Sequence, residues 1–185
     1  QGGNLFLPVD TTYMGAGIGP AMNGIPGNPQ DPDCGKLPKP PGCFTENRAN
    51  LHLHGGISPW ISDGTPHQWI TPATERPYPD GGNNPNRGVS VMNVPDMPDP
   101  GSGAQTYYWT NQQSARLMFY HDHAWGITRL NVYAGEAAPY IITDATEQAL
   151  VDGGTIPAAD KTIPLVIQEK TFVPTQEQMA WQDPT

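Results

Sequence analysis

Proline and glycine interrupt this chain so often that long helices have little room. Its 185 residues include 22 prolines and 21 glycines, and apolar segments with helical periodicity are few. Proline lacks a backbone donor and glycine weakens regular elements, so such a composition favours short strands joined by turns. The apolar content of 36% is enough for a core, and the length allows one ordinary domain and part of another. We predict a globular, all-β fold.

Six segments are candidate strands, because each is rich in β-branched or aromatic residues and is bounded by glycine, proline, asparagine or aspartate. They cover residues 49–54, 106–110, 116–120, 127–133, 140–143 and 163–168. This spacing is typical of a Greek-key β-sandwich. One short helix is predicted over residues 144–151, where Asp144 can cap the first turn and Gly153 can end the last. Residues 72–105 form a long loop.

Residues 1–47 are interrupted too often by glycine and proline for a regular element, and we predict an irregular loop region there. Cys34 and Cys43 lie in its proline-rich part, and neither has a histidine beside it. We predict a local disulfide between these two cysteines, which would suit an exported protein. Two free thiols are the alternative.

The charge of the chain argues against two classes of partner. The formal net charge is −9, and lysine and arginine are not clustered. Binding to nucleic acid or to an anionic membrane needs clustered basic residues, so we expect neither partner. No apolar run approaches the roughly 18 to 20 residues of a transmembrane helix, and the start at Gln1 does not read as a signal peptide. We expect a soluble protein.

Four of the five histidines fall in two His-x-His pairs, which are His52, His54, His121 and His123. Residues i and i+2 of a strand share a face, so two antiparallel strands would present four imidazoles to one cavity. Neutral imidazole is the commonest protein ligand for copper, zinc and iron. Four such ligands without a thiolate suit copper, and zinc is the alternative. For a single pair, hydrogen-bonded core or surface histidines are the alternative.

The surroundings of these pairs resemble a known family. The sequences NLHLHGG at residues 50–56, DGTPHQW at 63–69 and FYHDHAWGITRLNVYAG at 119–135 are similar to the first cupredoxin domain of a multicopper oxidase. The branch of bacterial laccases, spore-coat oxidases and bilirubin oxidases is the most similar. The resemblance implies an incomplete cupredoxin-like Greek-key sandwich over residues 48–145, preceded by the loop region at 1–47. Residues 146–185 would be a linker and the start of a second cupredoxin domain.

The resemblance also implies a copper site. In that family the first domain supplies four of the eight histidines around a trinuclear copper cluster. By motif position, His52 would bind the type 2 copper, His54 and His121 one type 3 copper, and His123 the other type 3 copper. The other four ligands come from a C-terminal domain, in a His-x-x-His-x-His and a His-Cys-His segment. Neither segment occurs in this chain, and no type 1 copper site does either.

The implied activity is a copper-dependent oxidation of a small reducing substrate, coupled to the four-electron reduction of O₂ to water. The substrate would be a phenol, a pigment or a metal ion, and the remaining domains of the same oxidase would be further partners. We expect this chain to be an internal or truncated piece of that oxidase, inactive alone. The expected location is secreted, periplasmic, or on the cell or spore surface.

Three residues near the pairs have separate interpretations. In the family, an acidic residue at the position of Asp63 lies near the type 2 copper and helps to deliver protons to reduced oxygen. A simple turn at Asp63 and Gly64 is the alternative. His67 lies in a polar turn and is predicted to be a surface residue. Asp122 should point to the opposite face from its neighbours and tether a nearby group.

Of the bulky residues near the motifs, the tryptophans are expected to pack around the site and not to carry electrons. The methionines are expected to pack in the core or in a loop and not to bind copper. These residues are Trp60, Trp69, Trp109, Trp125, Met92, Met97 and Met118. Two rival functions remain. The first is a non-catalytic module that holds one copper or zinc ion with its four histidines. The second is a mononuclear enzyme of the cupin type, which the chain fits poorly because the usual glutamate and distant third histidine are not suitably placed.

Overall fold

The computed structural model describes residues 46–73, 87–88 and 90–170. In chain order its strands and α-helices are β1 (Leu51–His54), β2 (Arg116–Asp122), α1 (Thr128–Ala134), β3 (Ala137–Ile142) and α2 (Ala145–Asp152). Short 3-10 turns lie at Trp60–Ser62 and Ala159–Lys161. The strands form one antiparallel sheet in the order β1, β2, β3. This arrangement is consistent with a partial cupredoxin-like domain, and no Greek-key connection joins the strands within the described residues.

Three of the predicted strands are confirmed, with changed ends. The segments at 49–54, 116–120 and 140–143 correspond to β1, β2 and β3. β2 continues to Asp122, two residues beyond its predicted end, so that His121 lies within it. β3 begins early, at Ala137, because it pairs with β2 from Arg116 to His121.

The predicted strand at 127–133 is wrong, because this segment forms helix α1. Its β-branched residues favour a strand, but the residues that become buried are spaced as on a helix face. Ile127, Leu130 and Asn131 are buried at positions i, i+3 and i+4. Gly135 ends the helix with a left-handed φ of 115°, a conformation that favours glycine. The chain therefore has two α-helices among the described residues, where one was predicted.

Two other predicted strands, at 106–110 and 163–168, do not form. Side chains take the backbone donors that a strand partner would have taken: Thr106 N donates to Asn93 Oδ1, and Tyr108 N donates to Ser62 Oγ. Residues 163–168 are exposed and belong to no strand pair in the described part of the chain. The prediction failed because both segments have the composition of a strand but lack a partner strand to pair with among the described residues.

The predicted helix at 144–151 is confirmed as α2. The Asp144 carboxylate accepts hydrogen bonds from Glu147 N and from Ala115 N, both of which lower the pKa of this exposed group. It therefore caps the helix and ties it to the segment before β2. Gly153 follows the last turn, as expected.

The sheet has one covered face, which we call the buried face. Leu53, Met118 and Ile142 form its buried apolar cluster, against which Trp109 and two tyrosines pack. The opposite side carries His52, His54 and His121, and we call it the histidine face. A second cluster of Trp69, Ala124 and Ile127 supports the turn after β2.

Several predictions fall outside the described residues or are not tested by them. The disulfide between Cys34 and Cys43 lies outside the described residues and stays a prediction. The domain limits at 47/48 and 145/146 are not tested by the structure and also stay predictions. Among the described residues, no helix combines the length and apolar character needed to cross a bilayer.

Candidate metal centre

The antiparallel pairing of β1 and β2 brings the two His-x-His pairs together. His52 lies directly opposite His121, and His54 lies opposite Phe119. The alternation of side chains then places His52, His54 and His121 on the histidine face. His123 follows β2, and its backbone N–H donates to the Asn50 carbonyl at 2.7 Å, which holds it beside β1. The pairing that folds the sheet therefore also assembles the imidazoles.

The four rings form a compact group. The centroid of the His52 ring lies 5.2–5.7 Å from those of the other three, and the His121 centroid lies 5.5–5.9 Å from the other three. One ring nitrogen from each of His52, His54 and His121 lies within 4.8 Å of the others. His54 Nδ1 and His121 Nε2 are 3.3 Å apart. Two nitrogens bound at about 2.0 Å to one tetrahedral ion are about 3.3 Å apart, so this pair fits a shared metal.

Backbone carbonyls fix the orientation of two of these rings. His52 Nδ1 lies 2.7 Å from the Asp63 carbonyl oxygen, and His121 Nδ1 lies 2.7 Å from the Asp122 carbonyl oxygen. A carbonyl can only accept, so each Nδ1 carries the proton and donates it. Nε2 of both rings keeps its lone pair for a metal. Metal-binding histidines typically have such a hydrogen bond on the other nitrogen.

His123 is set up differently from the other three. Its Nδ1 is buried, and the Gly64 backbone is close enough to raise the pKa of the ring although no bond of good geometry forms. Burial of the ring lowers its pKa, and the neighbouring His52 and His121 lower it further. The imidazole is therefore held neutral, which is the form that binds metals.

Asp122 lies between two of the histidines in sequence but faces away from them, as predicted. It is fully buried, and its carboxylate accepts hydrogen bonds from Asn50 N at 2.9 Å and Ala124 N at 3.0 Å. Burial raises its pKa, while these two backbone donors act in the opposite direction. The side chain ties the start of β1 to the turn after β2, so it positions both histidine pairs without contacting a metal.

Asp63 is in contact with His52 through both its backbone and its side chain. Besides the carbonyl contact, its Oδ1 lies 3.4 Å from His52 Nδ1, and the side chain is about half exposed, at 48%. The turn predicted here is also present, since Gly64 has a φ of 74°. A Cβ at Gly64 would collide with the Leu51 carbonyl oxygen, so the close approach to β1 requires glycine. Asp63 thus combines a structural turn with a carboxylate beside the histidines.

The fifth histidine stays outside the group. His67 is exposed and stacks on Trp125 with a centroid distance of 5.2 Å, which confirms the prediction of a surface residue. Packing roles are confirmed for Trp69, Trp109 and Met118, which belong to the two apolar clusters. The same prediction is wrong for Trp60, whose side chain is largely exposed because it sits on the outside of a 3-10 turn.

The two remaining methionines and the last tryptophan contribute little to the core. Met97 is exposed in the loop, and Trp125 is exposed and stacks on His67. Met92 is half-buried in the loop.

The sequence analysis did not single out Arg48, a buried residue before β1 that supports the turn carrying His123. This residue is fully buried; its Nη1 donates to the Trp125 carbonyl, and its guanidinium lies 5.2 Å from the Trp69 ring. Its own carbonyl accepts from Asn131 Nδ2 at 2.7 Å. Arg48 therefore joins β1, the turn after β2 and α1. A single arginine before a predicted strand gives no sequence signal for this role.

Known proteins share this chain's sequence over much of its length. The chain is 36% identical to a laccase of Bacillus stratosphericus and 33% identical to a laccase of Bacillus subtilis (strain 168), each over 127 residues and 69% of the chain. It is 40% identical to a bilirubin oxidase of Albifimbria verrucaria over 79 residues, which are 42% of the chain and 13% of that protein.

The chain spans about a fifth of the length of the two laccases, 20% in each case. No family model matches it. Proteins with multicopper oxidase in their names, from Oryza sativa and Arabidopsis thaliana, match it at 29–31% identity. With the histidine arrangement described above, these similarities show that the chain belongs to the multicopper oxidase family.

Proposed function

We propose that this chain supplies half of the ligands of a trinuclear copper centre in an oxidase. His52 would bind the type 2 copper, His54 and His121 one type 3 copper, and His123 the other type 3 copper. The observation that carries the proposal is the register of β1 and β2, which places His52 opposite His121 and gathers four imidazoles at one end of the sheet. The laccase and bilirubin oxidase relatives support it.

The donor set favours copper over other metals. All four donors are imidazole nitrogens, two of the rings are oriented by carbonyls, and His123 is held neutral. Imidazole sites without thiolate bind copper more strongly than zinc in the general order of divalent affinities. When bound, copper supplies one-electron steps between its two oxidation states. The overall reaction would take four electrons from a reducing substrate and convert O₂ and four protons to two waters.

Asp63 is proposed to handle protons at this site. Its carboxylate lies beside His52 and is about half exposed, so it can exchange protons with solvent and pass them inward. In the full-length polypeptide, Asp63→Asn should slow O₂ reduction and overall turnover, while the anaerobic reduction of the type 1 copper by substrate is unchanged. Asp96→Asn, at an exposed position in the loop before Thr106, is the matched control. Unchanged O₂ turnover in Asp63→Asn would rule out the role.

The rest of the centre would come from elsewhere. Four further histidines and a type 1 copper would be supplied by other domains of the same oxidase, and the chain alone should not turn over. The reducing substrate is proposed to be a phenol, a pigment or a metal ion. A secreted, periplasmic or surface location is proposed with it, because the predicted disulfide suits export.

A non-catalytic module is the second candidate, and one observation favours it. His54 Nδ1 and His121 Nε2 are already spaced for a single ion, so one copper or zinc could bind without any other domain. Such a module would store, deliver or structurally use one metal ion per chain.

Metal content and O₂ uptake of the full-length polypeptide separate the two candidates. The oxidase predicts several coppers per polypeptide and O₂ uptake with a reducing substrate. His54→Gln and His121→Gln should each abolish the O₂ uptake and lower the copper content. His67→Gln is the matched control, because His67 is exposed and outside the group. One ion per chain with no O₂ uptake would support the module and contradict the oxidase.

A further inference from the structure

Asn50 connects the histidine-bearing strands to a third part of the chain, the turn at residues 63–65. It lies directly before β1 and is almost fully buried, with 1% of its surface exposed. Its backbone N–H donates to the Asp122 carboxylate, and its carbonyl accepts from His123 N. Its side chain reaches in another direction, where Nδ2 donates to the Thr65 carbonyl at 2.6 Å. One buried residue therefore joins the His123 end of the site to the turn.

The turn at 63–65 places its backbone against two of the imidazole rings. The Asp63 carbonyl oxygen lies 2.7 Å from His52 Nδ1, and the Gly64 backbone lies beside the His123 ring. The carbonyl accepts the proton that His52 carries on Nδ1, which leaves Nε2 with its lone pair. In a free histidine side chain the proton prefers Nε2, and that nitrogen then cannot bind a metal. The position of this carbonyl therefore decides which nitrogen of His52 is available.

The turn lies directly on the start of β1. Gly64 packs so closely on the Leu51 carbonyl oxygen that no side chain would fit between them. Two carbonyl-bearing backbone segments do not attract each other at such a contact, so a hydrogen bond is needed to hold it. The Thr65 carbonyl accepts from Gln68 N within its own loop and from Asn50 Nδ2 on the β1 side. The Asn50 amide therefore supplies the bond that fixes the turn relative to β1.

Tyr107 fixes the orientation of the Asn50 amide. Its hydroxyl donates to Asn50 Oδ1 at 2.9 Å and accepts from Leu51 N at 2.8 Å. If the amide turned over, Oδ1 would face the Thr65 carbonyl, and two acceptors would oppose each other. Burial raises the pKa of Tyr107 to about 12, so the hydroxyl keeps the proton that it donates. Tyr107 therefore acts on the turn through Asn50.

We infer that Asn50 and Tyr107 are positioning residues of the metal centre, which set the tautomer of His52. The Tyr107 hydroxyl orients the Asn50 amide, and the amide holds the turn at 63–65. The Asp63 carbonyl of that turn then keeps the His52 proton on Nδ1 and leaves Nε2 for copper. The purpose of this arrangement rests on the proposed copper site, but the tautomer of His52 exists in the metal-free chain and is measured there.

Nitrogen-15 NMR of the complete metal-free chain at pH 8 tests the inference, because the ring nitrogen shifts report the ratio of the two tautomers. We expect Nδ1–H for His52 and His121 in the parent. Tyr107→Phe keeps the ring and removes only the hydroxyl, and it should raise the Nε2–H to Nδ1–H ratio of His52 at least about threefold. His121 should not change, because its acceptor is the Asp122 carbonyl. Tyr108→Phe, at the exposed neighbouring tyrosine, is the matched control and should leave both rings unchanged.

Two further variants separate positioning from stability. Asn50→Leu removes the amide at nearly constant size and should raise the His52 ratio at least about tenfold. Met118→Ala weakens the apolar cluster without touching these hydrogen bonds, so His52 should stay Nδ1–H. Copper affinity should fall about tenfold in Tyr107→Phe, as for other groups that orient metal ligands.

Four results would overturn the inference. They are Nε2–H for His52 in the parent, an unchanged ratio in Tyr107→Phe, an equal shift of His121 in that variant, and the same shift of His52 in Met118→Ala. If the tautomers behave as expected but the parent chain binds no copper, the inference about His52 stands and the proposed copper site is contradicted instead.

Discussion

The two faces of the same three-stranded sheet differ sharply although they share every strand. Adjacent residues show the contrast: Met118 is 7% exposed on the buried face, and Leu117 is 56% exposed on the histidine face. Ile142 and Ile141 repeat it, at 7% and 55%. The buried face thus supplies burial energy, while the histidine face leaves apolar and metal-binding side chains accessible. Neighbouring residues of one strand therefore serve different purposes: one side chain stabilises the fold, and the next lies on the metal-binding face.

Substitutions on the two faces should have different effects. Changes on the buried face should lower the free energy of unfolding and leave the intrinsic chemistry of the imidazoles alone. Substitutions on the histidine face should weaken metal binding and leave the free energy of unfolding nearly unchanged. Asp122, which faces the interior but ties both histidine pairs, is the position where the two effects should meet.

Met118→Ala should have the largest effect on stability. The side chain packs with Leu53 and Ile142, and its removal leaves a cavity, so we expect a loss of about 2–5 kcal/mol in the free energy of unfolding. Urea unfolding of the metal-free chain measures it. Leu117→Ala is the matched control and should change stability by less than about 0.5 kcal/mol. Equal losses at the two positions would break the distinction between the faces.

His121→Gln tests the histidine face. We expect at least about a 100-fold loss of copper affinity, because even residues that only orient metal ligands contribute 10–100-fold. Competition with a Cu(I) chelator measures it. Unfolding of the metal-free variant should resemble that of the parent, and His67→Gln should retain parental copper affinity. Retained copper affinity in His121→Gln would show that copper does not bind at the histidine face.

Asp122→Asn should affect both properties. One carboxylate oxygen becomes an amide group that points a donor at Asn50 N or Ala124 N, so we expect a loss of about 2 kcal/mol in stability. Copper affinity should fall about tenfold, because both histidine pairs lose their tie. Asp152→Asn, on the exposed helix α2, is the control. A change in only one of the two properties would contradict the tethering role.

Glu136→Gln should have the smallest effect, seen as a pH dependence. The folded pKa of about 7 lies above the ordinary glutamate value of 4.5, so protonation favours the folded state. This contribution is complete below about pH 4.5 and is lost as the pH rises through about 7. Urea unfolding between pH 4.5 and 8 should show the decline in the parent and a weaker decline in Glu136→Gln. The same slope in both chains would refute the assignment.

Local patterns in the sequence predicted the parts of the structure that depend on neighbours in the chain. The alternation around His52 and His121 predicted a shared face, and Asp144 with Gly153 predicted α2. Residues 127–133 were misread because their β-branched side chains outweighed a helical burial pattern. Contacts between distant residues, such as that of Asn131 with the Arg48 carbonyl, depend on how the elements pack. No local pattern encodes them.

The same limit applies to the metal centre. The sequence placed four histidines in two pairs, but the strand register that puts His52 opposite His121 is a property of the folded sheet. The carbonyl contacts that orient the rings come from Asp63 in a turn and from the backbone of Asp122. The sequence pointed to Asp63 for its carboxylate, and the structure adds its carbonyl.

Anomalous diffraction at the copper edge, from crystals of the copper-loaded chain, locates the copper that the histidine face is proposed to bind. We expect a copper peak bound by His54 Nδ1 and His121 Nε2, the two nitrogens that already lie 3.3 Å apart. We also expect no copper at the exposed His67. Copper bound only away from the histidine face, or zinc retained there in place of copper under equal supply, would contradict the proposal.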